Sequence, residues 1–117
     1  MSPSLFDQLT RGAQLGMCAV DAEFHYIWVN DALCDLLGYD ADELIGRSFM
    51  SITHEADAPL DEHLSQRVFD GEIPFFNVRK RYIKKDGSTV VADLVAVGVR
   101  DETGTTTTGF GTLIPVD

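Results

Sequence analysis

The chain has 117 residues, 44% of them hydrophobic, and carries 19 acidic against 9 basic side chains for a formal net charge of −10. A chain this acidic repels phosphate backbones and anionic lipid heads, which excludes nucleic acid and a membrane surface as partners. At this length one core suffices without disulfides or metal, and two cysteines, Cys18 and Cys34, both in apolar segments, read as reduced thiols rather than a disulfide scaffold.

The elements follow in chain order. No apolar run approaches bilayer length, and the N-terminus lacks a basic start leading into an apolar stretch, so the sequence implies a cytoplasmic location. Ser4 is an N-cap type with Asp7 three residues on, and Leu5, Phe6 and Leu9 share a helical face. This predicts a short amphipathic helix from about Pro3 to Arg11, stopped at Gly12, and divides the chain into a helical lead-in (1–15) and a domain (16–117). Gly16 to Val20 and Phe24 to Val29 read as two strands joined by the turn at Asp21-Ala22-Glu23. Asn30 then caps a helix whose Ala32, Leu33, Leu36 and Leu37 recur at helical spacing up to Gly38. Asp42 to Gly46 adds one more turn, and Phe49 to Asp57 reads as irregular. Ala58 to Phe69 is the long helix, with Leu60, Leu64, Val68 and Phe69 as its apolar stripe and Gly71 beyond its end.

The C-terminal half changes period. Phe75 to Lys84 alternates through Phe76, Val78 and Tyr82; Asp86-Gly87 marks a hairpin; Thr89 to Val99 and Thr105 to Val116 are two further strands separated by a turn at Asp101 to Gly104. Five of the basic residues, Arg79, Lys80, Arg81, Lys84 and Lys85, fall in one stretch that reads as a solvated strand edge. Strands at both ends with helices between them predict an α+β domain: one five-stranded antiparallel sheet with short helices packed on one face, plus the N-terminal amphipathic helix.

Several segments resemble the PAS domain family. They are Asp21 with the strand ending Trp28-Val29-Asn30, the helix through Leu36-Leu37-Gly38-Tyr39, and the turn Asp42-Glu43-Leu44-Ile45-Gly46-Arg47. Ile52-Thr53-His54-Glu55-Ala56-Asp57 resembles a recurrent family segment in which proline commonly follows the His, where Glu55 stands here. Lys84-Lys85-Asp86-Gly87-Ser88 resembles the hairpin between the third and fourth strands, and Val99-Arg100-Asp101 with Gly104 the exit of the fourth. The matches span about Gly16 to Val116 in the family's order and spacing. The resemblance implies a sensory or regulatory module of a larger signalling protein, with the chain an excised piece of it and an attached effector of the kinase or cyclic-dinucleotide type. It also implies that any ligand lies between the sheet and the short helices.

The family's ligand classes separate on residues. A covalent flavin sensor needs a reactive cysteine in the helical middle, where this chain reads Gly46-Arg47-Ser48-Phe49-Met50, and the sheet positions that would bind the ring carry Tyr82 and Ala92. The same lack of a cysteine removes a hydroxycinnamoyl-type photoreceptor. Haem needs an axial ligand aimed inward from the long helix. Its His63 lies one residue off the apolar stripe beside Asp61 and Glu62, which reads as a solvated side chain. No cofactor is therefore expected, and a small apolar ligand remains. Period two places Ala92, Leu94, Ala96 and Gly98 on one face of the fourth strand and Gly109, Gly111 and Leu113 on one face of the last. The resemblance implies that this face is the inner one, so the expected pocket wall is Tyr82, Leu94, Ala96 and Leu113, around a filled or small apolar cavity.

Catalysis is not expected. Cys18 and His25 fall on neighbouring strands without a third group to complete a triad, and the histidines and cysteines show no metal-ligand spacing. The Gly104 to Gly111 stretch has neither the lysine nor the following helix of a phosphate cradle. The alternative to ligand sensing is a ligand-free docking or dimerisation module, with Leu5, Phe6 and Leu9 as the face that pairs two protomers into a homodimer.

Overall fold

The computed structural model describes residues 8, 9 and 12–116. Five strands, β1 (Gly16–Val20), β2 (Tyr26–Val29), β3 (Phe75–Ile83), β4 (Thr89–Arg100) and β5 (Thr106–Pro115), form one antiparallel sheet in the order β2-β1-β5-β4-β3. Three helices, α1 (Asp31–Leu37), α2 (Ala41–Leu44) and α3 (Ala58–Phe69), and a 3₁₀ turn at Phe49–Ile52 lie between β2 and β3. The predicted α+β class, strand count and sheet are those observed. Of the N-terminal helix, Leu5 and Phe6 lie outside the described residues. Leu9 is helical and exposed, and the Ala13 amide donates to the Leu9 carbonyl (3.0 Å).

Register sorts the sheet into two faces. On the inner face Cys18, Gly111, Ala96 and Phe76 stand in one row across β1, β5, β4 and β3. The next row in each direction brings Gly98 opposite Gly109 and Leu94 opposite Leu113, the latter facing Gly16 at the start of β1. The helices cover this face at close range where side chains are absent: a Cβ on Gly98 would lie 2.8 Å from a Val68 methyl, and one on Gly16 3.0 Å from Leu33. The core holds Leu33, Leu37, Leu44, Ile52, Tyr82 and Leu113 almost without exposure. On the outer face Trp28, Ala19, Phe110, Val97 and Phe75 form a row across all five strands, with the Trp28 and Phe110 rings stacked at 5.7 Å.

Local chemistry accounts for the boundaries. Asn30 ends β2 and caps α1: its Oδ1 accepts from the Leu33 amide (3.0 Å) and from the Met17 amide of β1 (2.9 Å), while its Nδ2 donates to the Leu15 carbonyl (3.0 Å). Gly38 closes α1 at φ 82°, a left-handed position that suits glycine. Asp40 and Glu43 make a capping box at α2.

Three expectations change. The second strand begins at Tyr26 rather than Phe24, because the Asp21 carboxylate accepts from the Glu23 and His25 amides and holds Phe24 in a turn at φ 70°. The segment read as irregular contains the 3₁₀ turn, capped by Ser48. Helix α3 is rotated from its apolar stripe: Leu60 is 52% exposed, and the buried positions are Asp61, Ser65 and Val68, with Leu64 and Phe69 half-buried.

Asn30 joins β1 to α1 from a site that is 5% exposed. Asn30→Ala should lower stability by about 1–3 kcal/mol, because it removes a cap and leaves a buried amide unpaired. Urea unfolding measures the loss, and a change within experimental error would remove Asn30 from this role.

Candidate functional site

Between the inner sheet face and α3 lies a cavity of about 50 Å³. Phe76, Lys80, Tyr82, Leu94 and Ala96 line it from β3 and β4, and Asp61, Ser65, Val68 and Phe69 from α3. Three of the four expected wall residues, Tyr82, Leu94 and Ala96, are therefore together at this cavity. Leu113 is buried in the core beside Leu94 and is not part of the wall.

The polar end of the cavity is an ion pair. Lys80 is 2% exposed and Asp61 1%; the ammonium donates to Asp61 Oδ2 and to Thr53 Oγ1 (2.9 Å). Thr53 in turn donates to the Phe49 carbonyl (2.8 Å), and Ser65 Oγ approaches Asp61 Oδ1 at 3.5 Å. The ammonium also stands over the rings of Tyr82 (4.4 Å) and Phe49 (5.2 Å). Burial lowers the Lys80 pKa and the Asp61 charge partly offsets this. Burial raises the Tyr26 and Tyr82 phenols well above their ordinary range and pushes the Cys18 thiol up to about 12, so all three are neutral near pH 7.

The basic stretch lies on the edge strand β3 and the turn after it, with the Arg79, Arg81 and Lys85 side chains solvent-exposed as expected, and Lys80 is the correction. Strand alternation through Phe76, Val78, Lys80 and Tyr82 points it inward, where Asp61 compensates its charge. Its neighbours are also paired. Arg81 grips Asp57 with both ends of its guanidinium (3.0 Å each) while its backbone amide donates to the same carboxylate (2.8 Å), holding the Asp57 pKa down at about 2. Arg79 pairs with Asp93 directly across the β3/β4 ladder, and Lys85 with Glu43 of α2. Asp57 and Asp61 stand one helical turn apart, so two consecutive strand residues hold the first turn of α3 from two sides.

Sequence reasoning missed Lys80, Asp61 and Ser65 as wall residues, and Thr53 as the acceptor behind Lys80. The signal was present in the inward phase of β3 and in the i, i+4, i+7 spacing of Asp61, Ser65 and Val68, but charge argued against burial. His63 sits on the exposed side of α3, away from the cavity-facing Asp61 and Ser65. His25 bridges to Ser48 beyond the end of β2, whereas Cys18 pairs with Val29. His54 closes the turn into α3, its Nδ1 accepting from the Ala56 amide (3.1 Å). Among the described residues no group of three or more His, Cys, Asp or Glu side chains could hold a metal ion, and no helix is long and apolar enough to cross a membrane.

A five-stranded antiparallel sheet, helices on one face and a small cavity between the layers define the architecture of an α+β domain. The chain belongs to the PAS domain family, whose model matches residues 14–114. It is 35% identical over 91 residues to the probable diguanylate cyclase DgcE of Escherichia coli (strain K12), a match covering 78% of this chain and 8% of that protein. The PAS domain of a protein from Colwellia psychrerythraea has the same fold, with a TM-score of 0.80 at 15% identity over 97% of this chain and 98% of that one. A PAS domain from a two-component sensor histidine kinase superposes with a TM-score of 0.73 at 16% identity, covering 95% and 93% of the two chains. The chain is thus homologous to PAS domains of signalling proteins, and the PAS domain is itself a non-catalytic sensory module.

The ion pair makes a specific energetic prediction. Lys80→Met or Asp61→Leu alone should destabilise by about 3–5 kcal/mol, because each strands a buried charge, while the double variant should lie near the parent or above it. Chemical denaturation of the four proteins checks this. Additive losses would show that the two groups are not coupled.

Proposed function

We propose that this chain is the input domain of a signalling protein and passes a change in its cavity to an attached effector of the kinase or cyclic-dinucleotide type. One observation carries the reading: the Lys80–Asp61 pair, which ties β3 to α3, forms part of the cavity wall. An occupant that touches this pair has unequal affinity for two packings of α3 on the sheet, and that difference is what shifts a two-state equilibrium. The likeness to the probable diguanylate cyclase supports the effector class. The test is a chimera in which this chain replaces the matched segment of that protein. Output of cyclic dinucleotide should differ by about fivefold or more between the parent insert and the Lys80→Met/Asp61→Leu insert. Equal outputs would rule out coupling through the pair.

A second reading, homodimerisation, is favoured by the outer row of the sheet, in which Trp28 is 38%, Val97 43% and Phe75 55% exposed, with Val99 nearby at 47%. Contiguous apolar surface of this kind marks an interface more often than bare solvent-facing sheet. The pairing face then includes the sheet as well as the expected Leu5, Phe6 and Leu9 stripe. Val97→Glu, between Phe110 and Phe75 in the row, should convert a dimer to monomer in sedimentation velocity. A monomeric parent, or a dimer indifferent to the substitution, removes the reading.

A further inference from the structure

The chemistry of the cavity's polar end restricts its occupant, an inference that rests on the sensory reading above. Size is the first restriction. About 50 Å³ takes a handful of heavy atoms, whereas a pocket for a drug-sized ligand or ring cofactor runs to ~300–1,000 Å³.

Charge is the second. Lys80 and Asp61 neutralise each other at contact, and both are buried. An entering anion gains Lys80 but meets the Asp61 carboxylate, and an entering cation gains Asp61 but meets the ammonium. Either leaves a net charge in a site of low polarisability, which is costly. A neutral molecule leaves the pair intact.

Unused hydrogen-bonding capacity is the third. A lysine ammonium has three N–H donors. Thr53 and Asp61 take two, and the third is left to the faces of Tyr82 and Phe49, which an oxygen acceptor outcompetes. On the other side Asp61 Oδ1 has Ser65 at 3.5 Å, the outer limit of a hydrogen bond, and so has room for a stronger donor. The pair offers one donor and one acceptor to the same small space, and the remaining wall is hydrocarbon from Val68, Phe69, Phe76, Leu94 and Ala96.

We propose that the cavity binds a small uncharged molecule that presents a hydrogen-bond acceptor to Lys80 and a donor to Asp61 on a short apolar stub, the chemistry of a primary amide or an alcohol. Acetamide, acetate and acetamidinium share one shape and differ in charge, so they separate the possibilities. Each is titrated into the ¹⁵N-labelled chain, and the backbone amide shifts of Ser65, Lys80 and Ala96 are followed. Saturable shifts centred on these residues are expected with acetamide, with binding at least about tenfold tighter than for either ion. Acetate or acetamidinium binding as tightly as acetamide overturns the ligand class and leaves the sensory reading, judged by the chimera's output, standing. No saturable shift at these residues with any of the three overturns the site itself.

Discussion

The buried contact between Lys80 and Asp61 is the constraint around which this domain is arranged. A lysine on the inward face of a strand is tolerable only if a carboxylate reaches it, and here that carboxylate stands in the first turn of α3. The pair then fixes which face of the helix turns to the sheet, at the expense of leaving Leu60 in solvent. A buried ion pair adds little stability over a hydrophobic pair of the same volume, but it is intolerant of misplacement. Its contribution here is to fix one phase of helix on sheet, and the neighbouring grip of Arg81 on Asp57 reinforces that phase from the strand edge.

The glycines of the sheet set the depth of the same arrangement. Gly98 and Gly109 face each other across β4 and β5 beneath Val68 and Phe69, and a methyl at Gly98 would overlap Val68. The C-terminal half of α3 therefore rests almost on the backbone of the sheet. At its N-terminal half the long side chains of Lys80 and Tyr82 hold the layers apart. The cavity is the space left between a close end and a propped end.

Most of the fold was legible because it is written in short-range chemistry. The span Ala58–Phe69, the cap at Asn30, the turn glycines and the three C-terminal strands each follow from residues adjacent in sequence. The site was less legible because it depends on two residues 19 apart, each of which reads alone as a surface charge. Tyr82, Leu94 and Ala96 reach the cavity in the phase that period two gives them. Leu113 followed the same period but meets Gly16 and Leu94 in the packed part of the core, off the cavity wall. The helix phase was misread for the reason that hid the pair: apolar residues were assumed to define the buried face, and an internal electrostatic contact outweighed one leucine.

The adjacency of β1 and β5 inside the sheet has a mechanical consequence. Gly16 opens β1 and faces Leu113 near the end of β5, so the chain enters and leaves the sheet on adjacent strands, about one strand spacing (~4.8 Å) apart. A module with its entry and exit side by side can be spliced into a longer polypeptide without prying the flanking segments apart. The same geometry makes those two strands a shear gauge: sliding β5 along β1 displaces one flank relative to the other by the same amount. Both strands also carry residues of the cavity wall, among them Cys18 and Gly111.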